Sequence, residues 1–417
     1  MTNIKQLGTF DVDNYGDLLY PVVFRRALAG RDPRLSLSAY SPLAGDAPHA
    51  AGFATGDART LFEPARARAG DGGDADVSGL VVGGGDILRT DAGTLAAHYV
   101  RDGRTGLRRE VGAFGSLRYR ALRRLSAWRA ERFRARAFAR RRLGYASPGP
   151  FLIDPARLPG GGAVCYLSCG VPHDFAPAER DEVARVFERA RFVYLRDEQS
   201  AEKLRRCGVR RELRVAPDLV VLIGGQLGRE TEAAKGRALL KRLGVSADAP
   251  VLCFQSMPYP GFDAGEVARQ LALYRERTRA EVVLLPLGRC HGDGEFLRLV
   301  QTAAGGAFKL ADVDQLSDAV SVIAACDLFA GTSLHGNVTA FSFGRPHLHG
   351  PLPADKAEGF LRSTGLPLSL KLNSWGELND KADFAAGLGA DFFNTRADAA
   401  RLKVSRAVDE LLDALLA

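Results

Sequence analysis

The sequence has 417 residues, enough for two domains, and its 46% apolar and 25% charged residues are typical of a soluble globular protein. No apolar run approaches the roughly 18 residues that cross a bilayer, which excludes a membrane-spanning helix. The formal net charge is +8, but residues 101–143 alone hold fifteen arginines and three acidic residues, so the rest of the chain is net negative. The start of the chain, MTNIKQLGTFDVDN, lacks the layout of a signal peptide. We expect a cytoplasmic protein.

In the first half of the chain, apolar segments alternate with helical ones. The predicted strands are IKQLGTF, LSLSAYSPLAG, SGLVVGGGDILR, AVCYLSCGVP, RFVYL and LRVAPDLVVLI. Helices are predicted within DVDNYGDLLYPVVFRRALAG, at DEVARVFERA and after RDEQS. This alternation is typical of a parallel sheet that is covered on both faces. It predicts a doubly wound domain over residues 1–224.

An arginine-rich insert at about residues 101–145 interrupts this domain. Within it, residues 117–143 contain no glycine or proline and predict one helix with arginine on nearly every side. Such a helix could pack on the first domain through its aromatic residues, or it could meet an anionic membrane or saccharide. We expect no nucleic-acid partner, because no recognised nucleic-acid-binding module accompanies the arginines.

The second half repeats the alternation. Residues 225–249 are polar and predict a linker with one helix. A second doubly wound domain follows over residues 250–395, and an amphipathic helix over residues 396–417 ends the chain. The predicted fold class is therefore α/β, with two doubly wound Rossmann-like domains that face each other across a cleft.

Ligands of such sheets bind beyond the carboxyl ends of the strands, so the residues that follow each strand are the candidate site. In the first half these are Asn14, Gly16, Asp17, Gly83, Gly84, Gly85, Asp86, Arg196 and Asp218. In the second half they are Gln255, Ser256, Gly288, Arg289, His291, Thr332, Ser333, Leu334 and His335. Polar and glycine residues thus gather where the cleft is predicted.

Each of these motifs has a structural interpretation beside the functional one. Asp17 could sit near a helix start, and residues 83–85 could form a tight turn or expose N–H groups to an anion. Arg196 suits a clamp for phosphate or carboxylate, whereas Asp218 after a proline is typical of a turn. His335 is the strongest single candidate, because an imidazole exchanges protons near neutral pH.

The remaining histidines and the cysteines suggest no metal site. His347 and His349 are interpreted as structural. The six cysteines form no CxxC pair and are typical of buried small residues. Cys165 and Cys169 could join His173 around zinc, but a fourth ligand and the usual spacing are missing. We expect no bound metal.

Five motifs in order resemble the polysaccharide pyruvyl transferase family. They are N-x-G-D at 14–17, G-G-G-D at 83–86, R-D-x-x-S at 196–200, P-D at 217–218 and S-L-H-G at 333–336. The resemblance covers about residues 8–350 and implies a GT-B-like fold. It also implies that phosphoenolpyruvate donates pyruvate to a saccharide as a ketal across two hydroxyls, with release of phosphate. No separate cofactor is implied.

The resemblance assigns roles to the strand-end residues. It implies that Arg196 holds the anionic groups of the donor and that His335 binds the donor or acts as acid or base. Asp17 or Asp86 could orient or deprotonate an acceptor hydroxyl. Further substrate contacts are expected from Asn14, Gly16, Gly83, Gly84, Gly85, Arg289, Ser333 and Leu334. The acceptor is expected to be a cell-envelope polysaccharide, such as an exopolysaccharide, or a lipid-linked sugar. A lipid-linked acceptor would suit a peripheral contact of residues 117–143 with the inner face of the membrane.

One position departs from the family pattern. Members often carry arginine two residues before the late histidine, where this chain has Ser333. A serine cannot replace the paired contacts of a guanidinium. Either Arg289 or another cation compensates, or the donor differs, or pyruvyl transfer is lost. The alternatives are a nucleotide-sugar glycosyltransferase of GT-B type and a catalytically silent saccharide-binding or assembly protein.

Overall fold

The computed structural model describes residues 2–46, 51–62, 79–89, 149–353 and 356–417. The arginine-rich insert, including the helix predicted over residues 117–143, lies outside the described residues. No helix in the described ranges is both long enough and apolar enough to cross a membrane.

The first sheet has eight strands among the described residues. They are Thr2–Leu7 (β1), Leu35–Ser41 (β2), Gly45–Asp46 (β3), Ala54–Asp57 (β4), Gly79–Val82 (β5), Ala163–Cys169 (β6), Phe192–Leu195 (β7) and Arg214–Val215 (β8). Their order is β3-β4-β2-β1-β5-β6-β7-β8, and every pair is parallel except β3 with β4. The strands β5 to β7 are almost wholly buried apolar runs, because helices cover both faces of the sheet.

The second sheet has five parallel strands in the described part of the chain. They are Val251–Gln255 (β9), Glu281–Leu284 (β10), Lys309–Leu310 (β11), Leu328–Gly331 (β12) and His347–His349 (β13). Their order is β11-β10-β9-β12-β13. The first sheet with its helices is called the N-terminal lobe below, and the second sheet with its helices is called the C-terminal lobe.

Helices pack on both sheets. They are Tyr15–Arg31 (α1), Arg180–Arg189 (α2), Glu198–Arg206 (α3), Ile223–Leu227 (α4), Arg229–Arg242 (α5), Ala264–Thr278 (α6), Asp293–Ala303 (α7), Leu316–Ala325 (α8), Leu334–Ser342 (α9), Lys356–Thr364 (α10), Leu378–Leu388 (α11) and Ala390–Leu416 (α12). The predicted alternation of strands and helices is confirmed in both lobes. The predicted linker helix corresponds to α5, and the predicted terminal helix corresponds to the longer α12.

One predicted strand is wrong. The segment LRVAPDLVVLI is a strand only at β8, and a short 3₁₀ turn over Leu219–Leu222 leads from there into α4. Pro217 has no N–H to extend the sheet. Asp218 then accepts a hydrogen bond from the backbone N–H of Val220 at 3.0 Å, which starts the turn.

The two lobes are joined next to the strand ends. The loop between β1 and α1 bonds to the loop between β10 and α7, since Tyr15 N donates to Leu287 O at 2.9 Å and Cys290 N donates to Asp13 O at 3.1 Å. At the other end of the molecule, α12 returns to the N-terminal lobe and lies against β6 and β7. One apolar core therefore runs through both lobes.

The close packing of α5 on α8 generates a stability prediction. A Cβ at Gly236 would overlap the carbonyl oxygen of Ser321 on α8. Although alanine is the better helix former, Gly236→Ala should lower the free energy of unfolding by about 1–3 kcal/mol in denaturant titrations. The matched control is Gly387→Ala on the exposed side of α11, where an added Cβ meets nothing within 4 Å, and its stability should be unchanged or slightly higher. Equal stability of Gly236→Ala and wild type would contradict the packing.

Candidate functional site

The cavity between the two lobes has a volume of about 700 Å³. Its wall combines strand-end residues of both sheets. Asn14, Asp86 and Arg196 come from the N-terminal lobe, and Gln255, Asp293 and His335 come from the C-terminal lobe. The strand-end rule therefore locates the cavity correctly, and its volume is in the range of small-molecule sites.

Arg196 follows β7 and holds its guanidinium in the cavity wall, where the residue is 4% exposed. Its Nη2 donates to Asp86 Oδ1, and its Nη1 lies 3.8 Å from Asp218 Oδ2. Burial alone would lower its pKa, but the surrounding carboxylates, Asp86 foremost, raise the pKa above its ordinary value. Nη1 has no hydrogen-bond acceptor among the described residues. Arg196 thus stays charged and retains donor capacity at the cavity.

Asp86 connects cations of the two lobes. Its Oδ1 accepts from Arg196, and its Oδ2 lies 3.9 Å from Lys356 Nζ on α10. Burial would raise its pKa, but Arg196 foremost, followed by Lys356 and His335, lowers the pKa below the ordinary value. Asp86 is therefore an ionised carboxylate at the place in the cavity wall where the two lobes meet.

Asp218 is the centre of a buried network. Its Oδ2 accepts a hydrogen bond from Tyr20 Oη at 2.6 Å, and His335 Nε2 lies 3.5 Å from the same oxygen. Burial would raise the pKa of Asp218, but His335, Arg196 and Tyr20 lower it. The interpretation of Asp218 as a turn residue is therefore incomplete, because Oδ1 starts the turn while Oδ2 organises the site.

The hydrogen bonds of this network favour one tautomer for the neutral form of the His335 ring. The single hydroxyl proton of Tyr20 goes to Asp218, since an ionised carboxylate only accepts. The Tyr20 oxygen lies 3.2 Å from His335 Nε2, so it accepts the proton that Nε2 carries. Nδ1 is then the nitrogen with the lone pair. The His335 side chain is 11% exposed and lines the cavity.

Glycines behind the cavity wall make room for these side chains. A Cβ at Gly16 would overlap the His335 ring, and a Cβ at Gly84 would overlap the Tyr20 ring. Gly83 packs on the backbone of β6, and Gly85 has a left-handed φ of 78°. None of these four glycines lines the cavity. The structure thus gives these glycines a packing role, and the expected contact with a ligand stays a prediction.

Asp17 stands on the cavity wall near the start of α1. Its Oδ2 accepts a hydrogen bond from Asn14 Nδ2 at 3.1 Å. Burial raises the pKa of Asp17 to about 6, and the nearby His335 only partly opposes that effect. Asp17 is thus a carboxyl group that changes protonation close to neutral pH.

Ser333 is the N-cap of α9. Its Oγ accepts from the backbone N–H of Gly336 at 3.1 Å, and its own N–H donates to Gln255 Oε1 at 2.7 Å. Ser333 and Leu334 both line the cavity, directly before His335. The serine therefore holds the start of the helix that carries the imidazole.

Arg289 lies away from the cavity. Its Nη2 donates to Asp312 Oδ1 at 2.9 Å and to Val313 O at 3.1 Å, and its side chain is partly exposed. Arg289 is not among the residues that line the cavity, although its neighbours Gly288 and His291 are. This corrects the expectation that Arg289 supplies the cation that Ser333 lacks.

Several site residues were missed by the strand-end motifs. Asp293 begins α7, and its Oδ2 accepts from Gln255 Nε2 at 2.6 Å and from Gly288 N at 2.8 Å. Burial raises the pKa of Asp293 to about 6. Gly170 leaves room for Arg196, because a Cβ there would lie 2.7 Å from Arg196 Cζ. Asp293 and Gly170 each come shortly after a strand and could have been proposed on that ground, whereas Tyr20 and Lys356 carry no such signal.

The other histidines and the cysteines take no part in the cavity wall described here, apart from His173 and His291. All six cysteines are buried, as predicted, and none of them forms a disulfide. His347 and His349 lie in β13 against Phe360, and burial lowers the pKa of both. In the described ranges, no group of three or more His, Cys, Asp or Glu side chains is arranged to hold a metal ion.

Solved structures share the fold at low sequence identity. UDP-GlcNAc 2-epimerase from Neisseria meningitidis bound to UDP-GlcNAc has a TM-score of 0.54 at 11% identity, with 100% of both chains covered. A glycosyltransferase from Rickettsia africae ESF-5 has 0.53 at 10% identity, covering 99% of this chain and 97% of its own. S. aureus MnaA with UDP has 0.51 at 11% identity, covering 98% and 91%. These likenesses concern the fold alone, and the predicted GT-B-like architecture is confirmed.

The sequence itself matches one family model. That model, described as polysaccharide pyruvyl transferase, covers residues 14–349, which include most of both sheets and every wall residue named above except Lys356. No significant match was found among the curated proteins. Since the family model spans most of the sequence, and its two ends enclose the Asn14 and His335 motifs, the chain belongs to the polysaccharide pyruvyl transferase family and is a transferase.

Proposed function

We propose that the protein transfers pyruvate from phosphoenolpyruvate to two hydroxyls of one saccharide. The observation that carries this proposal is the meeting of Arg196 and His335 in one cavity wall. Arg196 Nη1 lies 3.8 Å and His335 Nε2 lies 3.5 Å from the same Asp218 oxygen. The donor has a carboxylate and a phosphate, and its reaction requires both an anion-binding cation and a proton-transfer group.

The proposed reaction involves no change of redox state. The methylene carbon of phosphoenolpyruvate takes up a proton and becomes a methyl group, while one hydroxyl oxygen bonds to C2. The bond from C2 to the phosphate oxygen breaks, and its electron pair leaves with phosphate. The second hydroxyl then bonds to C2 and closes the ketal. The two hydroxyl protons balance the proton on the methyl group and the proton on the released phosphate.

The residues of the cavity suit these steps. Arg196 pairs with an anionic group of the donor through the N–H groups that its carboxylate neighbours leave unused. His335 lines the cavity and is the proton-transfer group, and Tyr20 and Asp218 hold its ring at Nε2. Asp17, with a pKa of about 6, is the carboxylate that removes a proton from an acceptor hydroxyl.

The C-terminal lobe offers a wall for the acceptor saccharide. Tyr259 lines the cavity with 36% of its surface exposed, and its ring packs on Phe262. Asp293 of the same lobe also lines this cavity with its carboxyl group. An aromatic face with a hydrogen-bonding group nearby suits a sugar ring. We extend the proposal to a lipid-linked or polysaccharide acceptor of the cell envelope, met at the cytoplasmic face of the membrane through residues 117–143.

The direct test is phosphate release from phosphoenolpyruvate by the purified full chain with a panel of acceptor glycans. Wild type should release phosphate only when an acceptor is present. His335→Gln should lower turnover at least ~100-fold, as expected for loss of a proton-transfer group, while the protein stays folded with only a small fall in melting temperature. Arg289→Ala, outside the cavity, is the control with normal turnover. Absence of phosphate release with every acceptor, together with thermal stabilisation by a nucleotide sugar, would favour glycosyl transfer instead.

Tyr20 is a positioning residue, and a pair of buried tyrosines on α1 tests its role. Tyr20→Phe removes the hydroxyl that accepts from His335 Nε2, so we expect kcat to fall about tenfold while KM for phosphoenolpyruvate changes little. Tyr15→Phe removes an equally buried hydroxyl, which bonds to Thr339 Oγ1 at 2.9 Å. Each variant should lose about 1–2 kcal/mol of stability, but Tyr15→Phe should keep its kcat. Equal kcat in both variants would rule out the positioning role.

The raised pKa of Asp17 predicts two pH effects. If Asp17 acts as base, turnover falls as the pH drops through about 6, because protonation removes the base. A folded-state pKa above the ordinary 3.8 means that the folded protein binds this proton more tightly, so ionised Asp17 costs stability at higher pH. Asp17→Asn should therefore abolish turnover yet raise the free energy of unfolding at pH 8 by about 1–3 kcal/mol.

This stability gain should shrink as the pH falls from 6 towards 4, since Asp17 of wild type is then protonated in the folded state. Denaturant titrations at pH 8, 6 and 4 measure it. The exposed Asp383→Asn is the control and should show no such trend. A pH-independent difference between Asp17→Asn and wild type would contradict the assignment.

A further inference from the structure

Two cationic side chains of the arginine and lysine type line the described part of the cavity wall. Arg196 belongs to the N-terminal lobe, and Lys356 is the first residue of α10 in the C-terminal lobe. The Lys356 side chain is 33% exposed and lines the cavity. The two lobes thus contribute one such cation each.

Lys356 is held loosely by its partner. Its Nζ lies 3.9 Å from Asp86 Oδ2, which is an ion-pair distance but too long for a hydrogen bond. Within the described ranges, Nζ makes no hydrogen bond. An ammonium group has three N–H donors, so Lys356 can bind an anion without giving up a bond.

The charges around Arg196 show why a second cation matters. The guanidinium faces Asp86, Asp197 and Asp218, so these three carboxylates already offset its positive charge. A donor that carries a carboxylate and a phosphate would meet net negative charge if Arg196 were alone. Arg289 does not supply the balance, because it pairs with Asp312 outside the cavity.

The backbone of α10 at Lys356 is held in place by packing between the lobes. One turn further along α10, Gly359 lies on Asp197, since a Cβ at Gly359 would be 3.0 Å from Asp197 Cγ. Asp197 directly follows Arg196 and caps α3 through Ser200 N at 2.7 Å. The contact therefore ties the start of α10 to the segment that carries Arg196.

We infer that Lys356 and Arg196 together bind the phosphate or carboxylate of the donor from opposite lobes. This inference rests on the proposed function for the identity of the donor, but the anion site itself does not. Asp86 lies between the two cations, and its negative charge reduces the repulsion between them before the anion binds. Lys356 is then the compensating cation for the arginine that the family resemblance implies at position 333.

Equilibrium binding of phosphoenolpyruvate and of inorganic phosphate, measured by calorimetry on the full chain, tests the inference. Lys356→Ala should weaken the binding of both anions at least tenfold, and Lys356→Arg should stay within threefold of wild type. Wild-type binding should also weaken more steeply with added salt than binding by Lys356→Ala. In turnover, KM for phosphoenolpyruvate should rise while KM for the glycan stays the same. Arg289→Ala is the control and should bind as wild type.

The outcomes separate the two proposals. If Lys356→Ala binds both anions as tightly as wild type, the role of Lys356 is overturned. If wild type binds phosphate but not phosphoenolpyruvate, and Lys356→Ala weakens the phosphate, then the anion site stands and the proposed donor is wrong. If wild type binds neither anion at millimolar concentration, both proposals fail.

Discussion

The site depends on one buried carboxylate, Asp218, which the two lobes share. Tyr20 and Arg196 approach it from the N-terminal lobe, and His335 approaches it from the C-terminal lobe. A buried charge is costly unless it is paired and hydrogen-bonded, so these partners must stay in place together. The same contacts hold the guanidinium and set the tautomer of the imidazole. The same interactions around Asp218 therefore position the cavity side chains and join the two lobes.

The glycines around the site matter as much as its polar side chains. Gly16 and Gly84 let the His335 and Tyr20 rings approach α1 and the end of β5, and Gly170 leaves space for the Arg196 guanidinium. Any larger residue at these positions would displace a member of the Asp218 network. The glycines of the N-x-G-D and G-G-G-D motifs thus act through packing. Asn14, Asp17 and Asp86 are the parts of those motifs that reach the cavity.

The sequence was sufficient to predict the two-lobed fold and the location of the cavity, because strand and helix periodicity is local and parallel strands bring their carboxyl ends to one edge. Arg196 and His335 were found by that rule. Tyr20 could not be found, since a tyrosine inside an apolar helix face is indistinguishable from a core residue. Lys356 follows no strand directly, and its place in the cavity depends on how α10 packs on Asp197. The segment around Asp218 misled because its apolar run resembles a strand until Pro217 ends the ladder.

Ser333 stands where the family resemblance implies an arginine, so a cation at this end of the cavity has to come from another element. The serine hydroxyl caps α9, and its backbone N–H bonds to Gln255, which also binds Asp293. These bonds align the helix that carries His335, a task that a long guanidinium side chain at the same position would not perform. In the anion site that we infer, the positive charge comes from Lys356 at the start of α10, which contacts the Asp86 oxygen that Arg196 does not bond. Electrostatic attraction depends on where a charge lies and not on which element carries it. The cavity therefore has one cation from each lobe, and Ser333 positions the helix that carries His335.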